Sequence, residues 1–454
     1  MPIIKNQLEL TSSLKESRRE LLFLLEKTLQ FIHPKTLINN SIKLKKNLLK
    51  IEKLEMDLTI FEKIFIFGIG KASGFMAESL EELLGPKINS GMIIVVEGTS
   101  KKYALKKIKV LEGTHPIPSE LNIESTNSFL TELSKAGKND LVIFLISGGG
   151  SALLCKPENG IALEDLQSLN KILLKSGLDI IKINTLRKHI SKVKGGKLLN
   201  YTNEATTLSL IISDVLGDPI EFIASGPTVS DTSTLIDCIG ILDELRDYDI
   251  PNAIIDHFNK CQNAIKEENS NIKHRNFQKS YHFIIGNLSM ACNFLKEEAK
   301  KFNIEPYIYS IELKGESREI GIELLEEAIR LRKKSKGRII LISGGETTVT
   351  VKNNGYGGRN SELILGALSK ATSYKDFVML SLGTDGSDNS INFEIAGVMI
   401  DDQSYHQARE KNLNFVEFLS KNNSHKFFKR LGRSIIVTGD TGTNIADITL
   451  VLVE

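Results

Sequence analysis

Six consecutive apolar residues, Leu141–Ile146, run directly into Ser147, three glycines and Ser151. A run this short, bounded by turn residues, predicts a strand buried on both faces, as in a parallel sheet covered by helices. Three glycines leave the following loop without side chains, so its N–H groups can approach a ligand and form an anion-binding concavity. The phrase returns as RIILISGGE at Arg338–Glu346. Two strands that end alike predict two α/β halves whose strand ends face one cleft.

The 454 residues allow two or three domains, and 41% hydrophobic with 25% charged residues is an ordinary globular balance. A net charge of +2, with no interleaving of arginines and aromatics, argues against a nucleic-acid partner. No apolar run approaches the roughly 20 residues that span a bilayer, and MPIIKNQLELTSS lacks the apolar core of a secretory leader. Cys155, Cys238, Cys261 and Cys292 are widely spaced without a CxxC pair. Reduced thiols in a cytoplasmic protein are therefore expected, and a zinc site is not.

Helical spacing over about 10–54 predicts two opening helices. A strand at Phe61–Phe67 then feeds GIGKASGFMAESLEELL, which places Lys71 at a helix N-terminus, where a cation beside exposed N–H groups suits phosphate. The spacing G-x-G-x-x-x-G is neither a P-loop nor a clean dinucleotide fingerprint, so a plain tight turn stays open. His115 lies in a rigid proline-bearing loop, EGTHPIPS, where a structural role competes with a catalytic one. In NTLRKHISKVKGGK, a helix would put Arg187, Ser191 and Lys194 on one face, with Lys197 after the Gly195-Gly196 turn. A solvated basic face and an anion site are both compatible with that pattern. Asp214 and Asp218, in SDVLGDPIEFIASGPT after a predicted strand, stand where open sheets bind ligands and suit Mg²⁺; capping a turn is their alternative.

The polar stretch Cys261–Ser280 predicts a boundary, giving domains 1–270 and 271–454. Beyond it, strands and helices alternate again, implying another largely parallel sheet, and TTVTV after the second SGG reads as a strand. KNNGYGGRNSELILGAL presents Arg359 at a helix start, placed for bidentate binding of phosphate or carboxylate. Asp385 and Asp388 lie on the loop GTDGSDN, whose spacing fails the calcium-loop pattern.

GIGKAS, HPIP, SGGGSALL, LRKHISKVKGG, SDVLGDPIEFIASGPT, SGGETTV, GYGGRNSE, GTDGSDN and TGTNIAD occur in the order that characterises glycerate 2-kinases, whose C-terminal part is the MOFRL domain. The resemblance covers Phe61 to Glu454, with the MOFRL region over about 338–454. It implies two three-layer α/β domains, the first Rossmann-like with a largely parallel sheet, and an active site in the interdomain cleft. The activity implied is ATP- and Mg²⁺-dependent phosphorylation of D-glycerate, usually to 2-phosphoglycerate, by an enzyme compatible with a homodimer. The family's proposed catalytic lysine and arginine fall on Lys71 and Arg359. Phosphoryl transfer depends on positioning and electrostatics, so the remaining expectations follow the charges. Gly148, Gly149, Gly150 and Ser151 are expected at nucleotide phosphates, Asp214 or Asp218 at Mg²⁺, and Arg187 with Lys194 at the glycerate carboxylate. The alternative is an NAD(P)H-dependent hydroxypyruvate reductase, with Glu97 as the acid expected for the ribose of a dinucleotide.

Overall fold

The computed structural model describes residues 2–12, 15–267, 277–389 and 393–454. It comprises two units, Leu37–Ile285 and a second made of Met1–Thr36 with Gly286–Glu454. In the first, β1 (Ile42–Lys45), β2 (Leu48–Ile51) and β3 (Leu54–Asp57) form a small antiparallel sheet where helix was expected. The apolar positions there alternate with charged ones, so Ile42, Leu49, Ile51 and Met56 go inward while Lys43, Lys50 and Glu55 stay exposed. That period of two, easily mistaken over short stretches for helical spacing, is what the backbone follows.

The main sheet of this unit contains β4 (Ile64–Ile69), β5 (Ser90–Val96), β6 (Ile108–Gly113), β7 (Leu141–Ile146), β8 (Thr206–Ile212) and β9 (Ser280–Gly286), in the order β6-β5-β4-β7-β8-β9. The registers among β4 to β8 are all parallel. Every residue of β4 and β7 is buried, as their unbroken apolar runs require. On one face Phe67 packs edge-on against Phe129 of the helix Glu120–Leu133 at 4.9 Å. Strand order reverses between β4 and β7, and in such sheets the crevice beyond the carboxyl ends at that point is where ligands bind.

In the second unit, β10 (Glu305–Leu313), β11 (Ile339–Gly345), β12 (Phe377–Gly383), β13 (Gly397–Asp401), β14 (Ile435–Ile436) and β15 (Asp447–Val453) form one sheet, ordered β10-β11-β15-β12-β13-β14. Only β10 and β11 run parallel; the other pairs are antiparallel, which corrects the expectation of a second largely parallel sheet. The last strand, β15, inserts centrally between β11 and β12. Phe377, Met379, Val451 and Val453 join a core with the helices Ser317–Arg332 and Arg359–Lys370. Their alternates, Val378, Leu380, Leu450 and Leu452, are also buried, so both faces of the sheet are covered. TTVTV is not a strand: beyond Gly345 it makes only the isolated bridge Thr348↔Glu316.

The units differ from the expected 1–270 and 271–454. The opening helix Glu16–Phe31 packs with Leu288–Lys301, where Phe31 stacks on Phe294 at 4.3 Å. Buried Arg18 donates to Asp401 Oδ2 and to the Arg433 carbonyl, both at 2.7 Å. Breaking a buried pair of this kind from one side costs about 3–5 kcal/mol. Around the expected boundary, the helix Asn252–Glu267 continues past Cys261, residues 268–276 lie outside the described ones, and β9 joins the first sheet. Among the described residues, no helix is long and apolar enough to cross a membrane.

Candidate active site

Ile69 and Ile146 are register partners at the ends of β4 and β7, and the turns beyond them are knitted together. Ser147 N–H donates to the Ile69 carbonyl at 3.1 Å, Lys71 N–H to the Gly148 carbonyl at 2.9 Å, and Ala72 N–H to Ser147 Oγ at 3.0 Å. Lys71 thus sits just before the helix Ser73–Leu84, as its sequence context implies. The first turn thus spends the N–H groups of Lys71 and Ala72 on the second. Among the described residues, those of Gly148 and Gly149 have no backbone acceptor, so the second turn is the one able to receive an anion.

Gly149 adopts φ +82°, and a Cβ there would lie 3.1 Å from His115 Cδ2 and 3.4 Å from Lys71 Cγ. The imidazole and the lysine therefore converge on this residue. His115, which the sequence left between a structural and a catalytic role, arrives from the loop after β6. Asp214 follows β8 and overhangs the turn from the other side, its Oδ2 lying 2.1 Å from where a Cβ on Gly148 would be. Asp218 stands four residues further on at φ +56°. Among the described residues no cluster of three or more His, Cys, Asp or Glu side chains could hold a metal. One or two carboxylates completed by phosphate oxygens and water is nevertheless how Mg²⁺ is commonly held.

The segment after Asp218 folds back beneath the turn. Ser225 Oγ lies 2.8 Å from Ser151 Oγ and donates to Asn184 Oδ1 at 3.2 Å. Ala224 and Ser225 have φ values of +51° and +61°, a conformation costly for residues with a Cβ and concentrated at functional sites. Neither Ser225 nor Asn184 stood out in the sequence.

The basic stretch divides by role. Lys194 is buried and donates to the Ser151 and Leu154 carbonyls, which fastens its segment to the glycine-rich turn. Burial pulls its ammonium down to about 8. With two carbonyls already bound, it acts on the site through the turn and not as a ready carboxylate ligand. Lys188 is buried against Asp231 at 3.3 Å, and Lys197 is held by Glu158 and the Lys188 and Ser191 carbonyls. Arg187 differs: its Nε donates to Asn170 Oδ1 at 2.9 Å and it forms no ion pair among the described residues, while burial lowers its pKa. Arg187, Ser191 and Lys194 line one cavity, but the helix ends at His189, so the expected shared helical face is not what groups them.

In the other unit, Arg359 opens the helix Arg359–Lys370 and faces Asp447 and Glu346. Asp447 begins β15 in register with Gly345 on one side and Gly383 on the other, so neither neighbour crowds its carboxylate. Burial pushes Asp447 up to about 7 even though Arg359 pulls it down. Burial also works against the Arg359 charge, but the hydrogen bond and charge of Asp447 outweigh it and leave the guanidinium pKa raised. Asp388 accepts the N–H groups of Asn360 and Ser361 at 2.8 and 2.9 Å and pairs with buried His425 at 3.0 Å. Burial opposes its ionisation, but His425 and Ser361 outweigh it and lower the pKa. Arg359, Asp385 and Asp388 line a cavity of about 550 Å³. Asp447 and the Asp388–His425 pair were missed by the sequence reading. Their signal lay in TGTNIAD and GTDGSDN, acidic residues beside glycines at strand ends.

Residues 20–259 match a family described as a domain of unknown function (DUF4147), and residues 339–447 match the MOFRL family. The glycerate 2-kinase of Pyrococcus horikoshii is 36% identical, over 92% of this chain and 93% of its own. The D-glycerate 2-kinase of Thermotoga maritima is 34% identical, over 89% of this chain and 92% of its own. The crystal structure of a glycerate kinase from Thermotoga maritima superposes with a TM-score of 0.81 at 30% identity, covering 97% of this chain and all of that one.

Proposed function

Because this chain belongs to the glycerate 2-kinase family with its MOFRL domain, we propose that it phosphorylates D-glycerate to 2-phosphoglycerate, with ATP as donor and Mg²⁺ as cofactor. The observation that carries the assignment of residues is the convergence of Lys71 and His115 on Gly149 at the reversal of strand order. Gly148, Gly149 and Ser151 receive nucleotide phosphates through backbone N–H groups and the short side chains around them. Lys71 places its ammonium on the transferring phosphoryl, whose equatorial oxygens carry the charge of a loose transition state. Arg359 supplies a second cation suited to phosphate oxygens, oriented by Asp447. Asp214, with Asp218 as second candidate, holds Mg²⁺ against the phosphates; the ion, when bound, neutralises their charge. Arg187, held by Asn170 and in no ion pair among the described residues, is a cation on the wall of the adjoining cavity.

The reductase alternative meets a physical obstacle. A dinucleotide pyrophosphate needs the N–H groups of the first glycine turn, and those of Lys71 and Ala72 are bonded to Gly148 and Ser147. Glu97 does follow β5 and is exposed, but an acid for the ribose has no pyrophosphate cradle beside it. Phosphorus NMR of the product from D-glycerate, ATP and Mg²⁺ tests the proposal, since the 2- and 3-phosphate monoesters give distinct proton couplings. Expected is 2-phosphoglycerate. Absence of any phosphoglycerate, with NADPH oxidised by hydroxypyruvate, would reverse the reading.

A further inference from the structure

The cavity that Arg187 lines has a volume of about 380 Å³ and adjoins the glycine-rich turn at Gly149 and Ser151. Most of its wall is apolar, including Ile117, Pro118, Leu166, Leu174 and Ile190. Ile117 and Leu174 are 48% and 73% exposed, so two large hydrophobic side chains bordering it remain in water. Its polar equipment is small. Asn170 Oδ1 is taken by Arg187 Nε, while the Asn170 amide nitrogen and the Arg187 Nη groups have no protein acceptor among the described residues.

Glycerate does not match this space. It has three carbons, each bearing oxygen, and it would leave the apolar wall uncovered. Cofactor-sized sites typically occupy about 300–1,000 Å³, with mostly apolar linings and a few placed polar groups that fix orientation. A heteroaromatic base with a ribose fits that description. It offers a flat apolar face to the aliphatic side chains and ring nitrogens that accept from an amide N–H. A phosphate chain leading from the ribose would emerge at the turn already assigned to phosphates.

We propose that this cavity is the nucleoside subsite of the phosphoryl donor, the base lying against Ile117, Leu166 and Leu174 with Asn170 and Arg187 at its polar edge. The proposal rests on the kinase reading above and assigns Arg187 to the nucleotide, not to the glycerate carboxylate. Donor preference is then decided in the Leu37–Ile285 unit alone.

The test uses the full chain and two kinds of variant. Asn170→Ala removes the unpaired amide donor, and Leu174→Trp fills space from a mostly exposed position whose substitution leaves the core intact. ADP affinity is measured by calorimetry without turnover, and KM for D-glycerate is measured at saturating ATP. Each variant is expected to weaken ADP about tenfold, equivalent to about 1.4 kcal/mol, while KM for glycerate stays within about twofold. Unchanged ADP affinity in both variants, no ADP binding by the wild-type chain, or a rise confined to the glycerate KM would overturn the proposal. Failure of the kinase reading is a separate result: the wild-type chain would bind ADP yet form no phosphoglycerate from any nucleoside triphosphate.

Discussion

Arg359 and Asp447 meet in a two-point contact: Nη2 donates to Oδ1 at 2.9 Å and Nε donates to Oδ2. The carboxylate lies buried between two glycine strand ends, while the guanidinium is partly exposed toward its cavity. The guanidinium is thereby held in one orientation.

That burial makes stability depend on pH. Asp447 rises from 3.8 to about 7 on folding, so over this window the folded state keeps a proton that the unfolded chain releases. Its contribution is fully present below the unfolded value and is lost as pH rises to about 7. Asp447→Asn should flatten this dependence. Urea midpoints at about pH 5 and about pH 8 should fall less in the variant than in the wild type; parallel falls would show that another group is responsible.

Asp388 works in the opposite sense. Its pKa is lowered, so its contribution is present above 3.8 and disappears as pH falls through the lower folded value. Asp388→Ala strands His425 and two helix N–H groups and should cost about 3–5 kcal/mol in urea unfolding at neutral pH. Asp388→Asn, which still accepts hydrogen bonds, should cost less.

Lys194 gives a third pH signature. Its pKa falls from 10.5 to about 8, so between these values the unfolded chain holds a proton that the folded one has shed. Stability from this group therefore rises with pH across that interval. The difference in unfolding free energy between wild type and Lys194→Met should increase from about pH 8 to about pH 10; a constant difference would contradict the burial argument.

At Gly149 a side chain meets both a left-handed backbone and the His115 ring. Gly149→Val should cost about 1–2 kcal/mol through the backbone alone. It should also raise KM for ATP by about tenfold or more while leaving KM for glycerate far less affected. Equal changes in both constants, in a folded protein, would mark the turn as structural.

Lys71 should act on rate. Lys71→Ala is expected to lower kcat by about 10²-fold or more, with a smaller change in KM, because a cation on developing phosphoryl charge counts most in the transition state. A normal kcat with raised KM would place the lysine in ground-state binding only.

The strand–glycine phrases were legible because each combines an apolar run with residues that lack side chains, and both signals are local. The placement of Lys71 and Arg359 at helix starts was legible for the same reason, since glycines stand beside both. Asp447 was not, since its meaning depends on Gly345 and Gly383, brought alongside only by a central antiparallel strand. Ser225 and Asn184 were hidden likewise, and the positive φ at Ser225 leaves no trace in its residue type. The three short strands over Ile42–Asp57 were misread because each spans only four residues, too few to separate a period of two from one of 3.6.

Ribosomal synthesis delivers Arg18 383 residues before its partner Asp401. The Leu37–Ile285 unit is continuous and can complete its sheet during translation, since domains generally fold as units. The opening helix cannot finish with it. Leu21, Leu24 and Leu25, all fully buried in the end, have no native surface to cover them until the C-terminal half emerges. The apolar face of this segment therefore stays without its native cover through most of elongation. Any truncation that removes β15 leaves that helix waiting for a sheet whose central strand never arrives.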